Sequence, residues 1–337
     1  MREISSNQTA SSDKDVLLEV NHLKKQFIFG KSFFKRNKAV CTAVDDVSFK
    51  IHKGKTLGIV GESGCGKSTL GRCILRLIEP SEGEIKIDGD DIVSMNAKTL
   101  KCMRKDMQMI FQDPFASLNP RMTIHDILRE PLDTHRIGTV KEREEKIASV
   151  MKIVGLRPQV LNRYPHEFSG GQRQRVGIAR ALVLEPKLII ADEPVSALDV
   201  SVQAQVLNLI AELQETKGIS FLFIAHDLAV VQHICNEVAV MYLGRIVEKA
   251  PAEELYSNPK HPYTQSLLSA IPVPDPTAKS NAVILKGEIP SPLNPPSGCT
   301  FHTRCPHASE ACSQNEPRLN NYGKDAGEHW IACHLYE

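Results

Sequence analysis

Three short stretches of this chain read as apolar runs: Thr56–Val60, Leu188–Ala191 and Phe221–Ala225, the last within a strand expected over Ser220–Ala225. Each has the length of a strand, and an unbroken apolar run bounded by polar residues predicts a strand buried on both faces, as in a parallel sheet. Other segments read differently. Leu17–Val20 and Val44–Ile51 predict a first pair of strands, Gly83–Ile87 alternates and ends at the turn Asp88-Gly89, and Met107–Phe111 is a further short strand. From Thr123 to Gly155 the spacing turns helical and charged, a helix is expected from about Gln172 to Val183, and Arg245–Glu248 is a short strand. The segment from His261 to Pro272 (HPYTQSLLSAIP) is a proline-bounded helix. A chain of 337 residues allows about two domains with a sizeable core.

Chemistry enters where the apolar runs end. After Thr56–Val60 comes GESGCGKS, Gly61 to Ser68. Strand, glycine loop and helix is the context in which successive backbone N–H groups of Gly61, Ser63, Gly64, Cys65 and Gly66 face an anion, helped by the positive end of a helix. A polyphosphate suits that cavity. Lys67 would reach the β- and γ-phosphates, Ser68 would ligate Mg²⁺, and Thr69 adds a hydroxyl. Leu188–Ala191 runs into Asp192 and Glu193. Asp192 suits Mg²⁺, and Glu193 suits a base for the water that attacks the γ-phosphate.

With FSGGQ at Phe168 to Gln172 ahead of that strand, the chain resembles the ATPase subunits of ABC transporters, although Phe168 stands where leucine is usual. Gln112 (in MIFQDP) resembles the Q-loop glutamine, Ser196 to Asp199 the D-loop, and His226 the switch histidine, over roughly Leu17 to Met241. The resemblance implies an α/β P-loop NTPase core of the ABC type, with an antiparallel β subdomain and a helical subdomain inserted at about 120–180. It further implies that Gln112 contributes to the Mg²⁺ site and, with Glu193 and His226, to catalysis. Family members work as head-to-tail dimers, so Ser169, Gly170, Gly171, Gln172 and Asp199 are expected to serve the partner's ATP. An aromatic residue is expected on adenine: Phe27, with Phe29, Phe33 and Phe34 as rivals.

Lysine and arginine number 41 against 40 aspartate and glutamate, so no net field recruits nucleic acid. No apolar run approaches the ~20 residues of a spanning helix, and the polar start has no signal-peptide core, so a protein that is not secreted is expected. Nine cysteines, one inside the phosphate loop, argue against disulfides and for a reducing cytosol. Boundaries are expected at a mobile residues 1–15, an ATPase domain 16–250 and an extension 251–337.

The extension, like the long Q-loop DPFASLNPR, resembles the tail of ATPases serving oligopeptide, dipeptide and nickel importers. That implies a peripheral subunit at the cytoplasmic face of the membrane, paired as a heterodimer with a second ATPase, on two permease subunits and served by an extracytoplasmic peptide-binding protein. The basic aromatic insertion before Val44 resembles the second of the paired ATPases. Cys299, Cys305, Cys312 and Cys333 are separated by five, six and twenty residues, a clustering that suggests four thiolates around a metal without choosing it. The resemblance implies a [4Fe-4S] cluster, with Zn²⁺ and then free thiols as the alternatives. Two other readings are a nickel or small-solute importer and an ABC ATPase with no membrane partner.

Overall fold

The computed structural model describes residues 15–29, 39–271, 285, 287–323 and 328–337. Residues 1–14, Phe33 and Phe34 of the basic insertion, and Pro272 lie outside the described residues.

In chain order the strands are β1 (Val16–Phe29), β2 (Ala39–His52), β3 (Thr56–Val60), β4 (Glu82–Ile87), β5 (Asp90–Asp91), β6 (Met107–Ile110), β7 (Leu188–Asp192), β8 (Ser220–Ala225), β9 (Glu237–Tyr242), β10 (Arg245–Pro251), β11 (Asn320–Asn321) and β12 (Trp330–Ile331). They form two sheets, one of four strands ordered β2-β1-β4-β5 and one of eight ordered β11-β12-β10-β9-β3-β8-β7-β6. The first sheet is antiparallel. In the second, β9, β3, β8, β7 and β6 run parallel, and β10, β12 and β11 extend the edge antiparallel.

The continuous apolar runs are explained by this sheet. Leu57 and Ile59 of β3, Ile190 of β7 and Leu222 of β8 enter the core shared with the antiparallel sheet, whereas Val60, Ile189 and Phe221 enter the core on the other side. A strand flanked by two cores has no polar face to alternate. Between β6 and β7 the chain forms the helices Ile124–Thr134 and Val140–Ile153, begun by the side chains of Thr123 and Thr139 accepting from the N–H groups of Asp126 and Glu142. Glu142 completes a capping box with Thr139. Beyond β10, the short strand β12 pairs with it through Glu248 opposite Ile331 and Lys249 opposite Trp330, so the last residues of the chain are stitched onto the core sheet.

The carboxyl ends of β3, β6, β7 and β8 lie along one rim of the sheet. In open parallel sheets the crevice beyond these ends takes the ligand. Here that rim carries the glycine loop, Gln112, Asp192-Glu193 and His226.

Candidate active site

Gly66 has φ 107° and caps the helix Lys67–Ile74. A methyl group there would come within 2.0 Å of the Ala43 carbonyl oxygen, so both the conformation and the space demand glycine. The Lys67 ammonium is buried and donates to the carbonyls of Gly61 (2.8 Å) and Glu62 (2.9 Å). Ser63 and Gly64 are exposed at the loop's tip, Thr69 is half-buried, and Cys65 is buried, its thiol pushed up by desolvation.

The Ser68 hydroxyl donates to Asp192 Oδ1 at 2.8 Å across the gap between loop and β7. A hydroxyl and a carboxylate side by side are hard oxygen donors of the kind Mg²⁺ takes. Burial raises the Asp192 carboxyl above its ordinary range, an imbalance that a neighbouring cation relieves.

The next residue, Glu193, adopts φ 45°, and its N–H donates to the Ile224 carbonyl of β8 at 2.9 Å. A left-handed backbone is uncommon for such a residue, and it turns the side chain away from the course of the strand. Glu193 Oε2 accepts from Gln112 Nε2 at 2.7 Å and stands 3.5 Å from His226 Nδ1. Three residues from distant parts of the sequence, Gln112 lying 81 positions before Glu193, thus meet at one carboxylate at the ends of β6, β7 and β8.

The signature segment is organised separately. Ser169 caps the helix Gly170–Leu182 and exchanges hydrogen bonds with Gln172 in a capping box. A methyl group on Gly171 would fall 2.4 Å from Val202, on the helix Val200–Lys217 that Asp199 opens. Phe168 is buried in the core, where an apolar side chain of similar bulk to leucine is all the position requires. Among the described residues no hydrogen bond or ion pair joins Ser169, Gly170, Gly171, Gln172 or Asp199 to Lys67, Asp192, Glu193 or His226. Phe27 is half-buried on β1 opposite Cys41, with the Lys25 ammonium 5.0 Å from its ring centre.

Residues 44–196 match the family description "ABC transporter", and residues 247–312 match "Oligopeptide/dipeptide transporter, C-terminal region". The chain is 54% identical over 329 residues to an oligopeptide transport ATP-binding protein, AppF, of Bacillus subtilis, across 97% of this chain and 99% of that protein. This chain belongs to the ABC transporter ATP-binding proteins. An oligopeptide transport ATP-binding protein of Haemophilus influenzae, OppF, is likewise 54% identical, across 96% of this chain and 98% of that one. Among solved structures, the dimeric ATP-binding cassette MJ0796 in a post-hydrolysis state with ADP and phosphate is 28% identical, with a TM-score of 0.63 over 70% of this chain and 99% of that one. The fold of this ABC ATPase is therefore that of a P-loop NTPase with mixed parallel and antiparallel sheets.

One expectation is overturned. Among the described residues, which include Cys299, Cys305, Cys312 and Cys333, no group of three or more His, Cys, Asp or Glu side chains is arranged to hold a metal ion. Among these residues neither the iron–sulfur cluster nor the zinc alternative has a site. All four are free thiols. Cys312 turns back on its own helix start, with Sγ 3.3 Å from Ser309 Oγ and 3.5 Å from Ser309 N. Burial raises the other three thiols, Cys299 to about 11. Spacing brought four cysteines into one region of the chain; it carried no information on where the thiols point.

Sequence reading also passed over three residues at the phosphate loop. Glu62 is one of the loop's variable positions, yet its N–H donates to the Tyr263 hydroxyl at 2.9 Å and its carboxylate takes both Nη atoms of Arg304, at 2.7 and 3.0 Å. Tyr263 belongs to the His-Pro-Tyr segment, which had marked only a subfamily, and no periodicity points to Arg304.

Proposed function

We propose that this ABC ATPase energises the import of di- or oligopeptides, pairing with a second ATPase on two permease subunits at the cytoplasmic face of the membrane and receiving its cargo from an extracytoplasmic binding protein. The observation that carries the hydrolytic reading is the convergence of Gln112 and His226 on Glu193, beside the Ser68–Asp192 pair. The peptide reading is supported by the match of residues 247–312 and by relatives named for oligopeptide transport. Among the described residues no helix is long and apolar enough to cross a membrane, so a permease would supply the passage.

In this reading ATP is substrate. The glycine loop and Lys67 bind its β- and γ-phosphates, Ser68 and Asp192 hold Mg²⁺ with Gln112 contributing its amide oxygen, and Phe27 covers the adenine. Mg²⁺ held there would neutralise charge on the phosphate oxygens. Glu193 takes a proton from water while a new bond forms to the γ-phosphorus and the bond to the bridging oxygen breaks. Gln112 and His226 orient the Glu193 carboxylate, whose left-handed backbone already aims it. Ser169, Gly170, Gly171, Gln172 and Asp199 serve the nucleotide of the paired subunit, consistent with a signature segment that, among the described residues, makes no polar contact with its own Glu193. The helices between β6 and β7, about residues 120–180, form the subdomain that meets the permease; residues 16–250 are the ATPase domain and 251–337 an extension.

The test is co-purification with the permeases and an ATPase assay. Hydrolysis stimulated by peptide-loaded binding protein supports the proposal; hydrolysis indifferent to permease and peptide contradicts it.

A further inference from the structure

Glu62 is held at all three of its polar groups. Its N–H donates to Tyr263, its carboxylate receives a two-pronged ion pair from Arg304, and its carbonyl accepts from Lys67 Nζ. Two of the three partners come from far along the chain, 201 and 242 positions away.

Both distant partners are built in. Tyr263 is fully buried; its own N–H donates to His261 Nδ1 at 3.1 Å, which caps the helix Pro262–Ser269 with Pro262 at its first turn. His261 is held in turn by its N–H to buried Glu248, which also takes His329 Nε2 at 2.7 Å. The Tyr263 ring packs edge-on against Tyr242 and tilted against Phe301. Arg304 is buried one turn beyond Phe301, its N–H donating to the Phe301 carbonyl, with its guanidinium 5.9 Å from the Tyr242 ring centre. Among the described residues nothing in this cluster reaches Glu193 or His226 through a polar contact.

Electrostatics gives the cluster a purpose. Glu62 places a carboxylate inside a loop whose task is to bind a polyanion, and an uncompensated negative charge there opposes nucleotide binding. We infer that Arg304 and Tyr263 are positioning residues of the phosphate loop: Arg304 neutralises and orients the Glu62 carboxylate, Tyr263 fixes the Glu62 peptide, and the segment beyond β10 thereby sets the nucleotide affinity of a loop two hundred residues upstream. The inference rests on the loop binding ATP. It gives the His-Pro-Tyr sequence a physical reason: histidine caps, proline starts the helix, and tyrosine delivers its hydroxyl to the loop.

The test measures equilibrium affinity for Mg²⁺-ATP with the full-length chain, alongside thermal melting and amide exchange at residues 61–66 without nucleotide. Arg304→Ala is expected to weaken binding about tenfold, the scale of a lost charge-assisted pair. Adding Glu62→Gln to Arg304→Ala is expected to restore affinity to within about threefold of wild type, because no carboxylate then needs neutralising; a merely architectural arginine gives no such rescue. Tyr263→Phe, isosteric in its buried pocket, is expected to weaken binding severalfold and to speed exchange of the Glu62 amide. Wild-type affinity in Arg304→Ala, or a double variant as weak as the single one, overturns the inference. A wild-type chain that fails to bind Mg²⁺-ATP overturns the reading beneath it.

Discussion

Replacing Gly66 by alanine separates the two reasons for a glycine at the mouth of the phosphate loop. At φ 107° an L side chain costs about 1–2 kcal/mol. The added Cβ also lands 2.0 Å from a backbone oxygen, that of Ala43, where ordinary contact begins at 3.4 Å, so the loop or β2 must retreat by more than an ångström. Overpacking of this kind adds about 1–3 kcal/mol, and the stiffer unfolded chain returns less than about 1 kcal/mol. The net expectation is a loss of roughly 3 kcal/mol in urea unfolding. A displacement near an ångström at the phosphate cradle is expected to cost about a hundredfold in turnover. Gly64 is the control: φ is 81°, but nothing lies within 4 Å of the added methyl group, so Gly64→Ala carries the conformational cost alone and stays within about 1 kcal/mol of wild type. Equal unfolding midpoints for the two alanine variants would refute the steric reasoning.

Three further outcomes are expected. Glu193→Gln keeps the side chain's shape and its neighbours Gln112 and His226 but removes the base, so turnover falls about 10²- to 10⁴-fold while Mg²⁺-ATP still binds; a stopped turnover accompanied by lost binding would point to a structural role instead. Gly171→Ala drives a methyl group into Val202 and is expected to lower hydrolysis in the assembled dimer while leaving equilibrium binding of Mg²⁺-ATP to the isolated chain intact. His261 is buried and its pKa is pushed down to about 4 by desolvation, so the folded protein holds it neutral while the unfolded chain protonates it below 6.5. Stability from this residue is therefore full above pH 6.5 and declines as pH falls toward 4, by roughly 3 kcal/mol over that window; His261→Asn, which can still cap the helix, should flatten the slope of unfolding free energy against pH.

Much of the candidate catalytic rim was legible because its signals are local. The run Thr56–Val60 and the loop behind it coincide with β3 and the start of the helix at Lys67, and Ser220–Ala225 coincides with β8. Strand ends deliver Gln112, Asp192, Glu193 and His226 to one place simply because parallel strands share a rim. The lengths of β1 and β2, each 14 residues, were underestimated: their outer halves pair with each other in the open, with mixed polar and apolar residues, and periodicity fades there. The left-handed backbone of Glu193 left no trace in composition. Neither did the Glu62–Arg304 pair, whose partners are joined only by the way β9 and β10 bring the last segment back over the loop. The four cysteines misled because closeness in sequence does not by itself arrange ligands for a metal, and among the described residues no such group is found.

The most direct measurement of the central claim is uptake of a labelled di- or tripeptide by proteoliposomes carrying the two permeases and both ATPases, with binding protein on one side and Mg²⁺-ATP on the other. Peptide accumulation driven by ATP, and lost when this chain carries Glu193→Gln with the paired ATPase site also silenced, is the expected result. Accumulation that proceeds unchanged without this chain's Glu193, or hydrolysis with no peptide movement, would contradict it.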